Sequence, residues 1–231
     1  MEKSVNVYEN LEFPVEQSGE ERPYTFINMV STIDGKILTG ERGEPVQDLG
    51  SEVDHLLMRR IEEAADAVLI GSGSQRSSGG LWYPRNLVRI VATRSGNVLA
   101  ESRFFKDAPE KAIVLCTTQS TLPALPAGVR VKRFEGDSVP WRDAMAWIRK
   151  ELGVRTLLVE GGSDLNAQLL ALDLIDELFL TLAPKVKLGA NVPTYADGEP
   201  LPRERVQKYR LIELNRVGDE VFLRYRREWL D

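Results

Sequence analysis

The sequence predicts an α/β fold: a mixed, mostly parallel central sheet with helices on both faces and a C-terminal antiparallel hairpin. As far as Leu172, short apolar segments of strand length alternate with amphipathic segments of helix length, which is typical of parallel sheets. Beyond this point only strand-like segments follow, as expected for antiparallel strands at the edge. No composition break or repeat divides the chain, so we expect a single domain over residues 1–231.

The first half of the chain contains four predicted strands and one predicted helix. Residues 1–21 are acidic and patternless, and we expect a loose N-terminal leader there. A helix is predicted from Ser51, because this capping residue precedes early acids and then Leu57 and Ile61 at helical spacing. The strands are predicted at 24–30, 67–70, 87–92 and 112–117, where the residues are mostly apolar.

The second half begins with two further strand–helix alternations. A short strand is predicted at 129–134 and a strand ending at 159; helices are predicted at 140–152, stopped by Gly153, and from Ser163. The tail contains a long apolar strand at 175–186 and a hairpin at 207–229 that turns at 217–220. In the hairpin Val221, Leu223 and Tyr225 alternate with charged residues, which predicts that these three side chains form one buried face.

Composition argues against several classes of function. The formal net charge of −5 disfavours a nucleic-acid or membrane-surface partner, because such surfaces are usually basic. With one cysteine and one histidine, we expect neither a disulfide nor a metal site, and a cytoplasmic location. His55 lies on the predicted surface helix, which argues against a Ser-His-Asp triad. The sequence shows no apolar run of membrane-spanning length and no signal-peptide pattern.

Glycine and small polar residues follow four of the predicted strands, at 31–36, 71–74, 93–96 and 160–163. Ligands of open α/β sheets bind beyond the carboxyl ends of the strands, so we expect these segments along one edge. Each segment has an ordinary interpretation as a turn. Together they favour a long phosphorylated ligand such as a dinucleotide, although the Gly-x-Gly-x-x-Gly pattern of a standard mononucleotide turn is missing after the first strand.

The most informative segment is residues 157–164, with the sequence Leu-Leu-Val-Glu-Gly-Gly-Ser-Asp. It places Glu160 at the end of a buried strand, followed by two glycines and the start of a helix. Glycines let backbone N–H groups approach a ligand closely, and a helix N-terminus favours anions. One interpretation is a phosphate-bearing cofactor with Glu160 at the rim. The other is a tight strand–helix turn with Ser163 or Asp164 as the N-cap.

Charged side chains at the strand ends are candidates for chemistry. A carboxylate in a partly dry cleft can have a raised pKa and hold a proton near neutral pH, so Asp34 and Glu160 are candidate acids. Lys36 is a candidate contact to a substrate phosphate or a neutralising charge. Arg94 is a candidate for the ribose 2′-phosphate of NADPH, because guanidinium binds phosphate oxygens in a fork. The structural alternatives are Asp34 as a turn former and Lys36 and Arg94 as surface side chains.

Three motifs, taken in order, resemble those of a known family. They are Asn28-x-x-Ser-Thr-Ile-Asp-Gly-Lys-Ile37, Asp66-Ala-Val-Leu-Ile-Gly-Ser-Gly-Ser74 and Val159-Glu-Gly-Gly162. On these motifs the chain resembles the riboflavin-biosynthesis pyrimidine reductases, the reductase half of the bifunctional deaminase–reductase, in the dihydrofolate-reductase-like superfamily. The resemblance runs from about Pro23 to Val186, and the hairpin also fits that fold. The zinc-binding deaminase half is missing, so we expect only the reduction.

The resemblance implies an activity and a set of site residues. NADPH would reduce the ribosyl C1′ of a phosphorylated ribosylamino-pyrimidine, through an open-chain imine, to give a ribityl chain. Asp34 and Glu160 would be the catalytic groups, and the family is usually dimeric, so a homodimer is expected. The substrate would contact Asn28, Ser31, Lys36, Arg76 and Arg85. The cofactor would contact Thr32, Gly71, Ser72, Gly73, Ser74, Thr93, Arg94, Ser95, Gly161, Gly162 and Ser163.

Two segments depart from the family's pattern and bear on the substrate. The family usually continues after Gly71 with a paired-aspartate–proline segment ending in an arginine, whereas this chain has Trp82 and Tyr83 before Arg85, which suggests an altered pocket wall. The first helix has Met58-Arg59-Arg60-Ile61 in place of the family's His-x-Leu-Arg-Ala run. The alternatives are a dihydrofolate or pteridine reductase of the same superfamily and a non-catalytic NADPH-binding protein.

Overall fold

The computed structural model describes residues 5–46, 48–77 and 83–228, and its centre is one nine-stranded sheet. The strands are β1 (Tyr24–Thr32), β2 (Ala67–Gly71), β3 (Val88–Ala92), β4 (Ala112–Thr117), β5 (Arg130–Phe134), β6 (Thr156–Val159), β7 (Glu177–Ala183), β8 (Tyr209–Val217) and β9 (Glu220–Arg227). Their order in the sheet is β5-β4-β3-β2-β6-β1-β7-β9-β8. The strands pair in parallel from β5 to β7, and β9 and β8 then add antiparallel. The predicted fold class is therefore confirmed.

Five α-helices accompany the described sheet: α1 (Glu52–Glu63), α2 (Ser72–Ser77), α3 (Arg103–Lys106), α4 (Trp141–Leu152) and α5 (Ser163–Ala171). The predicted cap of α1 is confirmed, because the Ser51 hydroxyl accepts from the backbone N–H groups of Val53 and Asp54 at 3.1 and 3.3 Å. The predicted stop of α4 is confirmed at Gly153, whose φ of 69° lies in the left-handed region that glycine adopts easily. The sequence did not predict α2 or α3, because these short helices have no apolar periodicity to reveal them.

The helices cover both faces of the sheet. On one face α4 and α5 pack Ile148 and Leu169 against strand residues such as Ile90 and Val159. On the other face α1 packs Leu57 and Ile61, and α3 packs its two phenylalanines. Burying apolar side chains on both sides explains why the central parallel strands are almost continuously apolar.

The N-terminal segment is not a loose leader over its described part, so that expectation is wrong for residues 5–21. Val7 and Tyr8 are buried, and the Phe13 ring stacks on the Phe26 ring with centroids 4.2 Å apart. The segment packs on the α1 side of the sheet. Its few apolar residues have no period, and only the sheet surface beneath them explains their positions.

The expected buried face of the hairpin is also wrong. Val221, Leu223 and Tyr225 are only partly buried, whereas Glu220, Phe222 and Arg224 on the opposite face of β9 are buried. The reason is that Phe13 and Phe179 pack against the Arg224 guanidinium, at 5.4 and 5.0 Å from the ring centroids. A charged residue therefore occupies the more buried face, which alternation alone does not reveal. The predicted turn between β8 and β9 is confirmed.

The strand order brings the carboxyl ends of β3, β2, β6 and β1 together at one edge of the sheet. These are the ends at which the sequence has glycine and small polar residues, so the expectation of a common edge is confirmed. Within the described residues, no helix is long and apolar enough to cross a membrane.

Candidate functional site

A groove with a volume of about 890 Å³ runs along the carboxyl ends of β2, β3 and β6. Its walls come from the segment after β1, from α2, from the segment after β3 and from the starts of α4 and α5. The lining residues are Ile37, Leu38, Arg42, Gly43, Gly71, Ser72, Gly73, Ser74, Arg76, Ser77, Ala92, Thr93, Arg94, Ser95, Ser138, Val139, Trp141, Gly162, Ser163, Asp164, Leu165, Gln168 and Pro193. This volume lies in the range of small-molecule and cofactor sites.

Backbone contacts fix the centre of the groove. The Gly71 N–H donates to the Gly161 carbonyl at 2.7 Å. A Cβ atom on Gly71 would lie 3.4 Å from the Gly162 nitrogen, and one on Gly162 would lie 3.1 Å from the Ser74 hydroxyl. A side chain at Gly162 would therefore press on Ser74, and one at Gly71 would lie directly against the Gly162 backbone. Gly73 differs, because a Cβ there would meet no atom of another described segment within 4 Å.

The N-terminus of α5 opens into this groove. Its N-cap is Gly162, which has no side chain to accept from the first-turn N–H groups, so the expected capping by Ser163 or Asp164 is wrong. Unpartnered N–H groups and the positive end of the helix dipole favour an anion. The Asp164 carboxylate instead accepts from the Gln168 amide at 2.7 Å, and Gln168 accepts from the Trp141 indole at 2.7 Å.

The charges on the groove walls suit an anionic ligand. Arg42, Arg76 and Arg94 line it, against the single carboxylate of Asp164. The Arg76 guanidinium also donates to the Asn97 carbonyl at 2.6 Å, which ties α2 to the segment after β3. Thr93 is buried and accepts from the Gly96 N–H at 3.0 Å, so it shapes the turn that carries Arg94. A groove with unpartnered helix N–H groups and three guanidinium groups fits a dinucleotide with several phosphates.

The structure brings most of the expected cofactor residues together. Those on the groove wall are Gly71, Ser72, Gly73, Ser74, Thr93, Arg94, Ser95, Gly162 and Ser163. Gly161 lies behind the wall and supplies the carbonyl that holds Gly71. Thr32 lies outside the groove, because its buried hydroxyl donates to Asp34 at 2.6 Å and accepts from the Lys36 N–H at 2.8 Å.

The structure contradicts the expectation that Asp34 holds a proton near neutral pH. Its carboxylate accepts from the Thr32 hydroxyl at 2.6 Å and from the N–H groups of Lys187 and Leu188 at 3.1 and 2.8 Å. These hydrogen bonds, the one from Thr32 first, lower the pKa of Asp34 to about 2. Asp34 is therefore an ionised acceptor that holds the segment after β7.

The expected substrate residues are divided between several places. Arg76 lies on the groove wall, whereas Arg85 is exposed and lies outside it. The Lys36 ammonium donates to the Val192 carbonyl at 3.1 Å. Asn28 and Ser31 lie on β1 opposite Phe179 and Leu182 of β7. The expected pocket wall around Trp82 falls outside the described residues, which resume at Tyr83.

Glu160 lies on the α1 side of the sheet edge. Successive side chains of a strand point to opposite faces, and Leu158 packs on the α1 side, so the residue two positions later does as well. There its Oε2 accepts from the Tyr83 hydroxyl at 2.8 Å, and its carboxyl lies within hydrogen-bond reach of Glu62. Burial, the largest effect, raises the pKa of Glu160. The expectation of a raised pKa is thus met at Glu160 and not at Asp34.

Sequence reasoning missed two groups of residues near the edge. Trp141 and Gln168 close one side of the groove, and both lie on helices whose apolar pattern drew attention to other positions. Glu62 is fully buried on α1 and Tyr83 is buried before β3. The sequence carries little signal for Glu62, because it directly follows Ile61 of the apolar stripe and a charged residue beside such a stripe is usually exposed.

The sequence is similar to a protein family and to curated reductases. The family model described as the RibD C-terminal domain matches residues 23–223. A 2,5-diamino-6-ribosylamino-4(3H)-pyrimidinone 5′-phosphate reductase from Archaeoglobus fulgidus is 25% identical over 215 residues, which cover 86% of this chain and 95% of that protein. The protein of the same name from Methanothermobacter thermautotrophicus is 27% identical over 223 residues, 88% of this chain and 98% of its own.

Solved structures show the same fold. The structure of Acinetobacter baumannii RibD superposes with a TM-score of 0.76 at 16% identity, and covers 93% of this chain. This chain spans 60% of the length of that structure. A pyrimidine reductase-like protein from Corynebacterium diphtheriae superposes with a TM-score of 0.75 at 19% identity, covering 94% and 96% of the two chains. Dihydrofolate reductase from Enterococcus faecalis has the same fold at a TM-score of 0.53 and 16% identity.

Proposed function

Because the chain belongs to the RibD C-terminal domain family, we propose that it is a reductase that uses NADPH to reduce a phosphorylated ribosylamino-pyrimidine. The acceptor we propose is 2,5-diamino-6-ribosylamino-4(3H)-pyrimidinone 5′-phosphate, the compound in the names of the relatives. The observation that carries the proposal is the groove itself. It combines an uncapped helix N-terminus, glycines at the points of closest approach and three guanidinium groups along the ends of parallel strands.

The groove supports a definite placement of a dinucleotide. The start of α5, at Gly162 and Ser163, would hold the pyrophosphate through backbone N–H groups. Arg94 and Ser95, which follow β3, would hold the adenosine end, with Arg94 on a ribose 2′-phosphate. The segment from Gly71 to Ser74 would then lie beside the central part of the dinucleotide. NADPH is proposed over NADH because Arg94 is an exposed guanidinium on the groove wall.

We assign the cofactor and the acceptor to opposite sides of the sheet edge. When bound, the reduced nicotinamide supplies a hydride. Groups on the α1 side of the edge would contact the acceptor, among them Glu160 and the Tyr83 hydroxyl that donates to it at 2.8 Å. In the net reaction C1′ gains the hydride, the imine C=N becomes a C–N single bond, and the nitrogen gains one proton. The chain therefore has to supply one proton for each turnover, and a carboxyl of raised pKa is suited to that.

Nicotinamide oxidation tests this proposal directly. Purified protein should lower the NADPH absorbance in the presence of the diaminopyrimidinone phosphate, and dihydrofolate serves as the comparator of the same fold. The deaminated analogue, 5-amino-6-(5-phosphoribosylamino)uracil, should be tested in parallel. Turnover of dihydrofolate alone would contradict the proposal, and so would calorimetric binding of NADPH without oxidation by either pyrimidine.

We also propose a homodimer that uses the edge of the sheet at β8. Leu211 and Leu214 on this edge strand are 43% and 58% exposed. Exposed apolar residues on an unpaired edge strand are a common means of association. Sedimentation equilibrium should give a dimer mass, and Leu214→Arg should shift the protein to monomer. A monomeric wild-type protein would contradict this part of the proposal.

A further inference from the structure

Two buried carboxyl groups meet beside the carboxyl end of β6. Glu62 comes from α1 and is fully buried, and Glu160 comes directly after the strand. Their Oε1 atoms are both buried, and neither has a hydrogen-bond partner among the described residues. The two carboxyl groups nevertheless lie close enough to hydrogen-bond to each other when one is protonated. A single proton between them satisfies both oxygens, whereas two ionised groups would leave both without a donor.

The outer oxygen of each carboxyl group already has a fixed donor. The Arg59 guanidinium donates to Oε2 of Glu62 at 2.7 Å, and the Tyr83 hydroxyl donates to Oε2 of Glu160 at 2.8 Å. The array therefore runs Arg59, Glu62, Glu160, Tyr83. Donors at both ends orient the inner oxygens towards each other.

We propose that Glu62 and Glu160 share one proton near neutral pH, and that Glu62 is a positioning residue that holds this proton against Glu160. The delivery of that proton to an acceptor rests on the proposed function. In this proposal Glu160 contacts the acceptor, and Glu62 acts through Glu160. Glu62 takes no part in hydride transfer; it holds the proton that the pair shares.

The charges around the pair agree with one shared proton. Among the described residues, the groups that face it are Arg59 from the same helix as Glu62 and Tyr83 from the segment before β3, with Arg89 further away beyond Tyr83. The Arg59 guanidinium supplies positive charge beside one carboxylate, which suits a pair that holds one proton. Burial first, and the neighbouring Glu160 second, raise the pKa of Glu62 to about 8. The pair then titrates as a unit, in two steps that belong to both groups.

The proton balance of the reduction matches this arrangement. As the hydride reaches C1′, the π-electron pair of the imine moves to nitrogen. The shared proton leaves the pair through Glu160: its O–H bond breaks as an N–H bond forms at that nitrogen. The pair is left with both carboxylates ionised, and solvent restores its proton before the next turnover. Asp34, with a pKa of about 2, holds no proton at that pH.

Titration of the free protein tests the shared proton without any turnover. Protein labelled with ¹³C at the glutamate carboxyl carbons is followed by NMR from about pH 4 to about pH 10. One carboxyl should remain protonated through neutral pH in the wild type, and this titration should move down by at least about one pH unit in Glu62→Gln. Glu63→Gln is the matched control, because Glu63 is the exposed neighbour on the same helix. A wild-type spectrum in which every carboxyl ionises below about pH 6 would overturn the proposal.

The pH dependence of turnover tests the role of Glu62. In Glu62→Gln the basic limb of the kcat profile should move to lower pH, with about a tenfold loss for each pH unit above it. Glu62→Asp should restore the profile at least in part, and Glu63→Gln should match the wild type. A uniform loss with an unchanged profile means that Glu62 is only structural, and this overturns the proposal. If the wild type reduces no pyrimidine, the proposed function fails, and the NMR titration still decides whether the pair shares a proton.

Discussion

The Gly71 N–H donates a 2.7 Å hydrogen bond to the Gly161 carbonyl, which joins two turns that lie 90 residues apart in the sequence. This bond exists because β6 inserts next to β2 in the sheet. It brings the start of α2 beside the start of α5, and the groove forms where the two meet. The site is thus a consequence of strand order more than of any one motif.

Gly73→Ala should separate cofactor binding from stability. A Cβ there meets no atom of another segment in the described part of the chain, and alanine is the better helix former, so we expect the free energy of unfolding to stay equal or rise by about 0.5–1 kcal/mol. If the dinucleotide packs against this wall, the dissociation constant for NADPH should rise by about tenfold or more. Urea unfolding and calorimetry measure the two effects. An unchanged NADPH affinity would show that the dinucleotide does not pack against Gly73.

Arg94→Ala should weaken NADPH more than NADH. Loss of a guanidinium contact to the 2′-phosphate is expected to cost about 1–3 kcal/mol for NADPH only. Calorimetry with both nucleotides measures the difference, and Arg85→Ala is the control, because Arg85 is exposed and lies outside the groove. Equal losses for both nucleotides would show that Arg94 does not contact the 2′-phosphate.

Asp34→Asn should change stability in acid and leave the shape of the kcat profile at neutral pH unaltered. The pKa of Asp34 is lowered from 3.8 to about 2, so its contribution to stability is complete above the unfolded value and is lost as pH falls towards the folded value. The wild type should therefore lose stability over that window to a greater extent than the variant. Circular dichroism melts from about pH 2 to about pH 5 measure this. A shift of the kcat profile near neutral pH would instead indicate that Asp34 acts as an acid in the reaction.

Glu62→Gln should gain stability relative to the wild type as pH rises. The folded pKa of Glu62 is raised from 4.5 to about 8, so the folded state holds more protons than the unfolded state between these values. Wild-type stability therefore falls through this window as pH rises, and the uncharged variant escapes that loss. Urea unfolding at about pH 5 and about pH 8 measures the difference, with Glu63→Gln as the control. If the difference in unfolding free energy between the variant and the wild type were the same at both pH values, the raised pKa of Glu62 would be contradicted.

Glu177→Gln should destabilise the fold far from the groove. This fully buried carboxylate accepts from Arg224 at 2.6 Å, from Arg226 at 2.8 Å and from the Tyr24 hydroxyl at 2.7 Å. Removing its charge deprives both guanidinium groups of their nearest counterion, and among the described residues Arg224 keeps only Glu213 at 3.9 Å. Breaking a buried pair typically costs about 3–5 kcal/mol. Denaturant unfolding measures the loss, and Glu228→Gln, an exposed position, should stay within about 0.5 kcal/mol of the wild type.

Local chemistry was enough to predict most elements of the fold. Ser51 has a hydroxyl that caps a helix, Gly153 adopts a positive φ, and the apolar runs of β2 and β4 leave little choice but a buried strand. The small residues after β2, β3 and β6 likewise predicted an edge suited to a ligand. All of these signals come from residues within a few positions of one another.

The position of the charged residues was decided by tertiary structure alone. Asp34 is ionised because Lys187 and Leu188, distant in sequence, donate to it. Burial raises the pKa of Glu160, because its position after the strand directs it to the α1 side of the sheet, beside the buried Glu62. The free energy of a carboxylate depends on the donors and the solvent around it, and the sequence does not list those neighbours. The sequence by itself determined where the strands end, and only the lateral order of the strands determined which acids meet and hold a proton.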